Sequence, residues 1–391
     1  GPALGGAVVE QARKDPTLAQ IPPDMVQPRA LAYRSKSKTL LVVSEGRDAI
    51  LELDATAVDP SARALVERSL TAPHPNEPVA TQCSAPSGVA LSADEDTAYV
   101  WCAGSFEVAS IELQRPPSQL ADSIHIGKLA DDPLTAKAAR GRRIFLDAAD
   151  GVTSGGMACA GCHPEGRDDA HVWAELPEGP ETKQPIFVGM SGNVDGDDRV
   201  VAHVGYARQT PMLAGRVAAE GPYGWHAQND TLAARAVEGM GLHRWFPPPG
   251  VPYLDQARKV RAEALAEFLR SGLAPPPRDA HPPTPAEARG KELFSSPEVG
   301  CSGCHVPETD YTNRVAVPLP ERDPPDGYAY DPNEAFKTPS LSFVGGTAPY
   351  YHDGSARSLE DLVRDDDDRM GKTKQLSEPD RAALVAFLRT L

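Results

Sequence analysis

Hydrophobic and polar positions follow two different rhythms along the 391 residues. Between residues 28 and 115, β-branched runs bounded by polar turns predict strands, and no helical period is present there. Pro28-Arg29-Ala30-Leu31-Ala32, Lys38-Thr39-Leu40-Leu41-Val42-Val43 and Ala49-Ile50-Leu51-Glu52-Leu53 return as Pro86-Ser87-Gly88-Val89-Ala90, Asp96-Thr97-Ala98-Tyr99-Val100-Trp101 and Ala109-Ser110-Ile111-Glu112-Leu113. A strand unit is therefore duplicated. From about residue 130 onward the apolar positions take helical spacing, and a second duplication begins. Ala139-Arg140-Gly141-Arg142-Arg143-Ile144-Phe145 is echoed by Ala288-Arg289-Gly290-Lys291-Glu292-Leu293-Phe294. Thr210-Pro211-Met212-Leu213 returns as Thr338-Pro339-Ser340-Leu341, and Pro222-Tyr223-Gly224-Trp225-His226 as Pro349-Tyr350-Tyr351-His352. The run Ala264-Leu265-Ala266-Glu267-Phe268-Leu269-Arg270 matches Ala383-Leu384-Val385-Ala386-Phe387-Leu388-Arg389, which predicts one closing helix per copy.

The proline-rich stretch from Ala274 to Pro283 cannot be helical and reads as a semi-rigid linker between the helical copies. The strand repeats resemble blades of the YVTN type of β-propeller. Two blades cannot close a ring of roughly four to eight. The expectation is a partial β-propeller-like segment, short of an N-terminal portion or packed on another domain or chain, with a small irregular β-domain as the alternative. The expected fold is thus a propeller-like β segment over 1–128, then two mainly α-helical c-type cytochrome domains over 129–275 and 276–391.

Charge narrows the partners. With 39 basic against 55 acidic side chains the net charge is −16, which repels nucleic acid and anionic lipid surfaces. No apolar run approaches the roughly 20 residues that a membrane-spanning helix needs. Residues 1–10 show no basic start followed by an apolar stretch, so any export signal is expected to lie outside this sequence. Cys83 and Cys102 are expected to pair as a disulfide in an exported, periplasmic protein, with two buried thiols as the alternative.

The other four cysteines carry the chemistry. Cys159-Ala160-Gly161-Cys162-His163 and Cys301-Ser302-Gly303-Cys304-His305 have the c-type haem attachment pattern. Two cysteines two residues apart on a tight turn reach both vinyl groups of one porphyrin, and the adjacent histidine ligates the iron. Zinc held by four thiolates is the competing reading, but the pairs lie far beyond zinc-ribbon spacing and each stands in its own repeat. His163 and His305 are therefore the expected proximal ligands of two covalent haems.

The sixth iron position separates electron transfer from ligand chemistry. Aligning Thr231-Leu232 with Ser358-Leu359 sets His243 opposite Met370. Met370 is the expected distal ligand of the second haem, where a thioether raises the potential. For the first haem the same alignment nominates His243. His226 is an alternative ligand or acid-base group, and an open site flanked by His226 and Gln228 is a further one. Trp225 and Tyr351 read as packing against porphyrin or as oxidisable relays between haems.

Over about 130–391 the chain resembles the bacterial di-haem cytochrome c peroxidase and MauG superfamily. The resemblance rests on both Cys-x-x-Cys-His motifs, Lys337-Thr338-Pro339-Ser340-Leu341, Ala348-Pro349-Tyr350-Tyr351-His352-Asp353-Gly354-Ser355 and Arg369-Met370-Gly371. It implies a peroxide-reacting N-terminal haem fed by an electron-donating C-terminal haem, which fits Met370. It also implies a small electron-donor protein such as a cytochrome c or cupredoxin, and calcium held near Thr338-Pro339. Where the family carries a distal glutamine and glutamate, this chain reads Trp225-His226-Ala227-Gln228-Asn229-Asp230, with alanine in place of the glutamate. His226, Gln228 and Trp225 are the catalytic candidates of a di-haem peroxidase-like oxidoreductase. The alternatives are a non-catalytic electron-transfer cytochrome and a MauG-like oxidase of a residue on a protein substrate.

Overall fold

In the computed structural model, residues 9, 12–14, 25–62, 64–74, 77–81, 83–115, 124–154, 156–175, 193–195, 199–201, 205–240, 252–278, 280–319, 323–331, 335–365 and 368–391 are described. They fall into two compact units, Gly1–Gly161 and Cys162–Leu391.

The first unit carries the strand repeat. Strands β1 (Pro28–Arg34), β2 (Thr39–Ser44), β3 (Ala49–Asp54) and β4 (Ala64–Ser69) form one antiparallel sheet in that order. β5 (Thr71–His74) pairs with β6 (Glu77–Thr81). β7 (Pro86–Leu91), β8 (Thr97–Cys102), β9 (Glu107–Glu112) and β10 (Ile124–Gly127) form a second four-stranded sheet. The repeat is visible in detail: the register shifts after Pro28 in one sheet and after Pro86 in the other. The left-handed residues Gln27 and Asp48 likewise have counterparts in Ala85 and Phe106. Alternation explains the core, because residues two apart on a strand share a face. Leu41, Val43 and Ile50 pack with Val100, Ala109 and Ile111, whereas Val42, Ala49 and Leu51 bury themselves on the other side of the first sheet. Cys83 and Cys102 form the expected disulfide at the edge of that core, with their Cα atoms 5.1 Å apart. Helix α1 (Ala136–Leu146) starts at Thr135, whose side chain accepts a hydrogen bond from the Ala138 amide.

The first Cys-x-x-Cys segment is the short helix α2 (Cys159–Cys162). In the second unit, β11 (Val172–Glu175) pairs with β14 (Tyr206–Gln209), and β12 (Asn193–Asp195) with β13 (Arg199–Val201). Helices α3 (Leu232–Gly239) and α4 (Pro252–Ser271) complete the first copy. Helix α5 (Pro285–Ser295) opens the second with a capping box between Thr284 and Glu287. β15 (Ala316–Pro318) pairs with β16 (Ala335–Lys337), and helices α6 (Leu359–Asp365) and α7 (Glu378–Leu388) end the chain. At Gly290 helix α5 meets α7 so closely that a Cβ would stand 2.0 Å from the Ala383 carbonyl oxygen. Phe294, Leu359, Val363, Leu384 and Phe387 form the core beside that crossing.

Two expectations about fold class are corrected. The chain is not a pair of mainly α-helical domains: between each Cys-x-x-Cys-His and its closing helix lie strand pairs and long turns. The reason is local. Alternating runs such as Val172-Trp173-Ala174-Glu175 pair as strands, and frequent Pro and Gly interrupt any helix. Nor do the β sheets make a propeller. Among the described residues they are two four-stranded and four two-stranded antiparallel sheets, with no closed barrel or ring. No helix of the described residues is long and apolar enough to cross a membrane.

Candidate haem sites

The second motif sits on a tight turn. Gly300, left-handed at φ 83°, leads into a 3-10 turn over Cys301–Gly303, and the His305 amide donates to the Cys301 carbonyl at 3.0 Å. That turn brings Cys301, Cys304 and His305 to one side of a cavity of about 310 Å³. His305 is buried, and its Nδ1 donates to the Tyr311 carbonyl at 2.9 Å, which leaves Nε2 to act as a ligand. Burial lowers the His305 pKa, against the opposing carbonyls of Tyr311 and Pro339, so the ring is neutral as metal ligation requires.

Met370 lines the same cavity. Its position is fixed by its neighbours: the Arg369 guanidinium lies over the Tyr351 ring at 4.8 Å, and the Lys372 amide donates to the Val299 carbonyl at 2.8 Å. A Cβ on Gly371 would lie 3.3 Å from the Cys301 sulfur, so the segment following Met370 closes directly over the attachment turn.

The first copy repeats several of these devices. Cys162 is buried and Cys159 half-buried at the two ends of α2. His163 precedes a 3-10 turn over Pro164–Gly166. Burial drives its pKa down to about 4, with Asp169 working in the opposite direction, and its Nδ1 is buried without a hydrogen-bond partner. Pro211 and Pro339 occupy matched positions, and each raises the pKa of its own copy's histidine. Tyr223 bridges to Asn229 as Tyr350 bridges to Ala356, and cis peptides precede both Pro222 and Pro349. Thr231 and Ser358 cap matched helices by accepting from the amides of Ala234 and Asp361.

The catalytic candidates separate in space. Trp225 lines the cavity of the second motif, with its ring centroid 6.4 Å from that of His352. His226 does not reach that cavity's lining: Nδ1 donates to the Ala335 carbonyl at 3.0 Å and Nε2 accepts from Arg208 at 3.1 Å. Gln228 folds back on its own turn, accepting from the His226 amide at 3.1 Å. His243 lies outside the described residues. The Thr338 carbonyl accepts from the Thr312 hydroxyl.

Two lining residues carried no signal in the sequence: Gln209 and Arg216 reach the second cavity from the first copy, whereas Lys337 and His352, from the second, stand in the motifs that carry the resemblance. His352 stacks on Phe336 with centroids 3.6 Å apart, and its Nδ1 has no hydrogen-bond partner. Burial pushes its pKa to about 4 despite Asp353. Among the described residues no three His, Cys, Asp or Glu side chains converge to hold a metal by protein donors alone. A haem iron takes four ligands from its porphyrin and needs only one or two from protein. An apolar cavity bounded by two cysteines, one neutral histidine and one methionine fits that donor set.

No family model matches the chain. A curated relative, hydrazine synthase subunit gamma of Kuenenia stuttgartiensis, is 28% identical over 34% of this chain and 49% of the relative. The chain thus spans about half the length of that relative. Among solved structures, Kuenenia stuttgartiensis hydrazine synthase pressurised with xenon is 21% identical with a TM-score of 0.47, covering 68% of this chain and 90% of that one. A MauG-like protein associated with microbial copper homeostasis is 21% identical with a TM-score of 0.43, covering 67% of this chain and 90% of that one.

Proposed function

We propose that the chain is a di-haem c-type redox protein, with haem attached at Cys159 and Cys162 in the copy over 129–275 and at Cys301 and Cys304 in the copy over 276–391. The observation that carries the reading is the meeting of Cys301, Cys304, His305 and Met370 around one cavity. Bound there, haem supplies a one-electron couple. His305, buried and oriented by Tyr311, and Met370 are the residues that would ligate its iron. With both residues as ligands, a haem there would supply storage and transfer of single electrons. A haem held by His163 would supply the centre for reducing peroxide with those electrons. The protein works outside the cytoplasm, which the disulfide between Cys83 and Cys102 supports, and takes electrons from a small redox protein.

Peroxide cleavage needs a side chain that accepts a proton and returns it to the departing oxygen. Both ring nitrogens of His226 are engaged, which favours a second reading in which the chain passes electrons without turning over peroxide. Intact mass and absorption spectra of the purified protein test these readings together. Two added haem masses and bleaching of a high-spin component by peroxide support the enzyme. Two haems with wholly low-spin spectra unchanged by peroxide, even after half-reduction, leave only the electron carrier. No added haem mass removes both.

A further inference from the structure

We propose that Lys337 and Arg216 form a cationic clamp in the second cavity that takes the two propionate carboxylates of the haem. The proposal rests on haem being attached at Cys301 and Cys304.

The lining is mostly apolar, which suits a flat hydrophobic body. Lys337 and Arg216 nevertheless both border it. Arg216 uses its donors on neutral groups: Nε donates to the Ser342 carbonyl at 2.7 Å and Nη2 to the Thr347 hydroxyl at 3.1 Å. Among the described residues no carboxylate pairs with Arg216 or Lys337, whereas nearby Arg314 has Glu220 at 2.8 Å. Burial lowers the pKa of Arg216 to about 10, against the more distant Asp168 and Tyr350. Lys337 is lowered by burial first and by the like charge of Arg314 second. Two partly buried cations without counter-ions are costly unless an anion completes them.

A neighbouring group adds to the demand. Thr338 is 4% exposed and its buried hydroxyl has no hydrogen-bond partner, although both backbone groups of Thr338 are satisfied by Thr312 and Val315. The cavity therefore asks for a ligand with an apolar body, two negative charges and acceptor oxygens. A porphyrin with two propionates has all three. A free phosphate-like dianion meets the charge but leaves the apolar walls unfilled.

The test is the midpoint potential of the Met370 haem, followed by its reduced absorption band across pH, in wild type, Lys337→Met, Arg216→Met and Lys337→Arg. A paired propionate stays ionised, so the wild-type potential is expected to be flat between about pH 6 and pH 8. In Lys337→Met a propionic acid should rise by about two units or more above the ordinary carboxyl value, into that window, making the potential fall with rising pH there. Lys337→Arg should restore the flat profile. Asp168, Glu220 and Arg314 are unchanged throughout, as are Arg208, Asp331, Asp353 and Arg369 around His352. Because Arg216 also ties Ser342 and Thr347, Lys337→Met decides the matter if Arg216→Met does not fold. A Lys337→Met protein that carries its haem with an unaltered potential and pH profile overturns the clamp. A wild-type protein with no haem mass on Cys301 and Cys304 instead defeats the haem reading, and the clamp with it.

Discussion

Replacing Glu52 by alanine tests the polar centre of the first unit. Glu52 is fully buried, and its Oε1 accepts from Arg34 at 2.5 Å and from the Thr39 hydroxyl at 2.7 Å, while Oε2 accepts from Arg68 at 3.1 Å. The change strands two guanidiniums that are themselves only 4% and 1% exposed. Arg34 keeps the Glu95 carbonyl and Arg68 the Leu113 carbonyl, so neither loses every acceptor. Removing one partner of a buried pair costs about 3–5 kcal/mol, and the surviving carbonyl contacts put this case toward the lower end. The pH dependence has a definite sign. Burial pushes the Glu52 carboxyl up, but Arg68, Arg34 and Thr39 outweigh it and hold its pKa below 4.5. Its contribution is therefore present above pH 4.5 and is lost as pH falls through the lower folded value. Urea unfolding of wild type and Glu52→Ala at neutral pH should show the full difference, and the two curves should converge on acidification. Replacing Arg34, Glu52 and Arg68 together by apolar residues of similar size should recover much of the loss. A Glu52→Ala protein within about 1 kcal/mol of wild type at neutral pH would refute the reasoning.

Other changes follow from the same kind of reading. Met370→Ala should give the second haem a high-spin ferric spectrum and a lower potential, whereas retention of the wild-type spectrum would remove Met370 as a ligand. Gly290→Ala forces a methyl against the Ala383 carbonyl and the Phe387 Cβ. Thermal unfolding should show a loss of about 1–3 kcal/mol despite alanine's better helix propensity. Asp48→Asn addresses a carboxyl that burial raises to about 7, mainly against the hydrogen bond from the Ala85 amide. Native Asp48 loses stability as pH rises from 3.8 toward 7, so the variant should exceed wild type in a chemical melt at pH 8 and lose that advantage near pH 4.

Legibility in the sequence followed the range of the interactions concerned. The strand repeat could be read because alternation and turn residues act over a few positions, and the Pro28 and Pro86 irregularities recur in register. The attachment turns and the matched segments at Thr231 and Ser358 are likewise local or repeated. The fold class was misread because the helical spacing of the opening and closing runs was extended to the whole of each copy. The interior is built from pairings such as Val172 with Gln209, whose partners lie far apart in sequence. Trp225 was assigned to the first haem by its place in the first copy. Its carbonyl accepts from the Lys337 amide at 2.7 Å, and that cross-copy bond carries it to the second cavity.

That crossing has a structural consequence. Gln209, Arg216 and Trp225 all come from the first copy and all wall the cavity at Cys301. Gln209 is tied there by its amide, which donates to the His352 carbonyl at 2.7 Å, and Arg216 by the Ser342 carbonyl. Two residues beyond Gln209, Pro211 lies near enough to His163 to raise its pKa, so one short stretch of chain runs by both proposed haem positions. A duplicated cytochrome whose copies were independent would have no reason to share walls. A fragment spanning 280–391 contains α5, α7, both attachment cysteines and Met370, yet lacks one side of its cavity. It should bind a hydrophobic dye such as ANS more strongly than the whole chain does, because apolar lining is left open to water. A fragment as dye-silent as the whole chain would mean that the second copy closes its own cavity and that the shared wall is incidental.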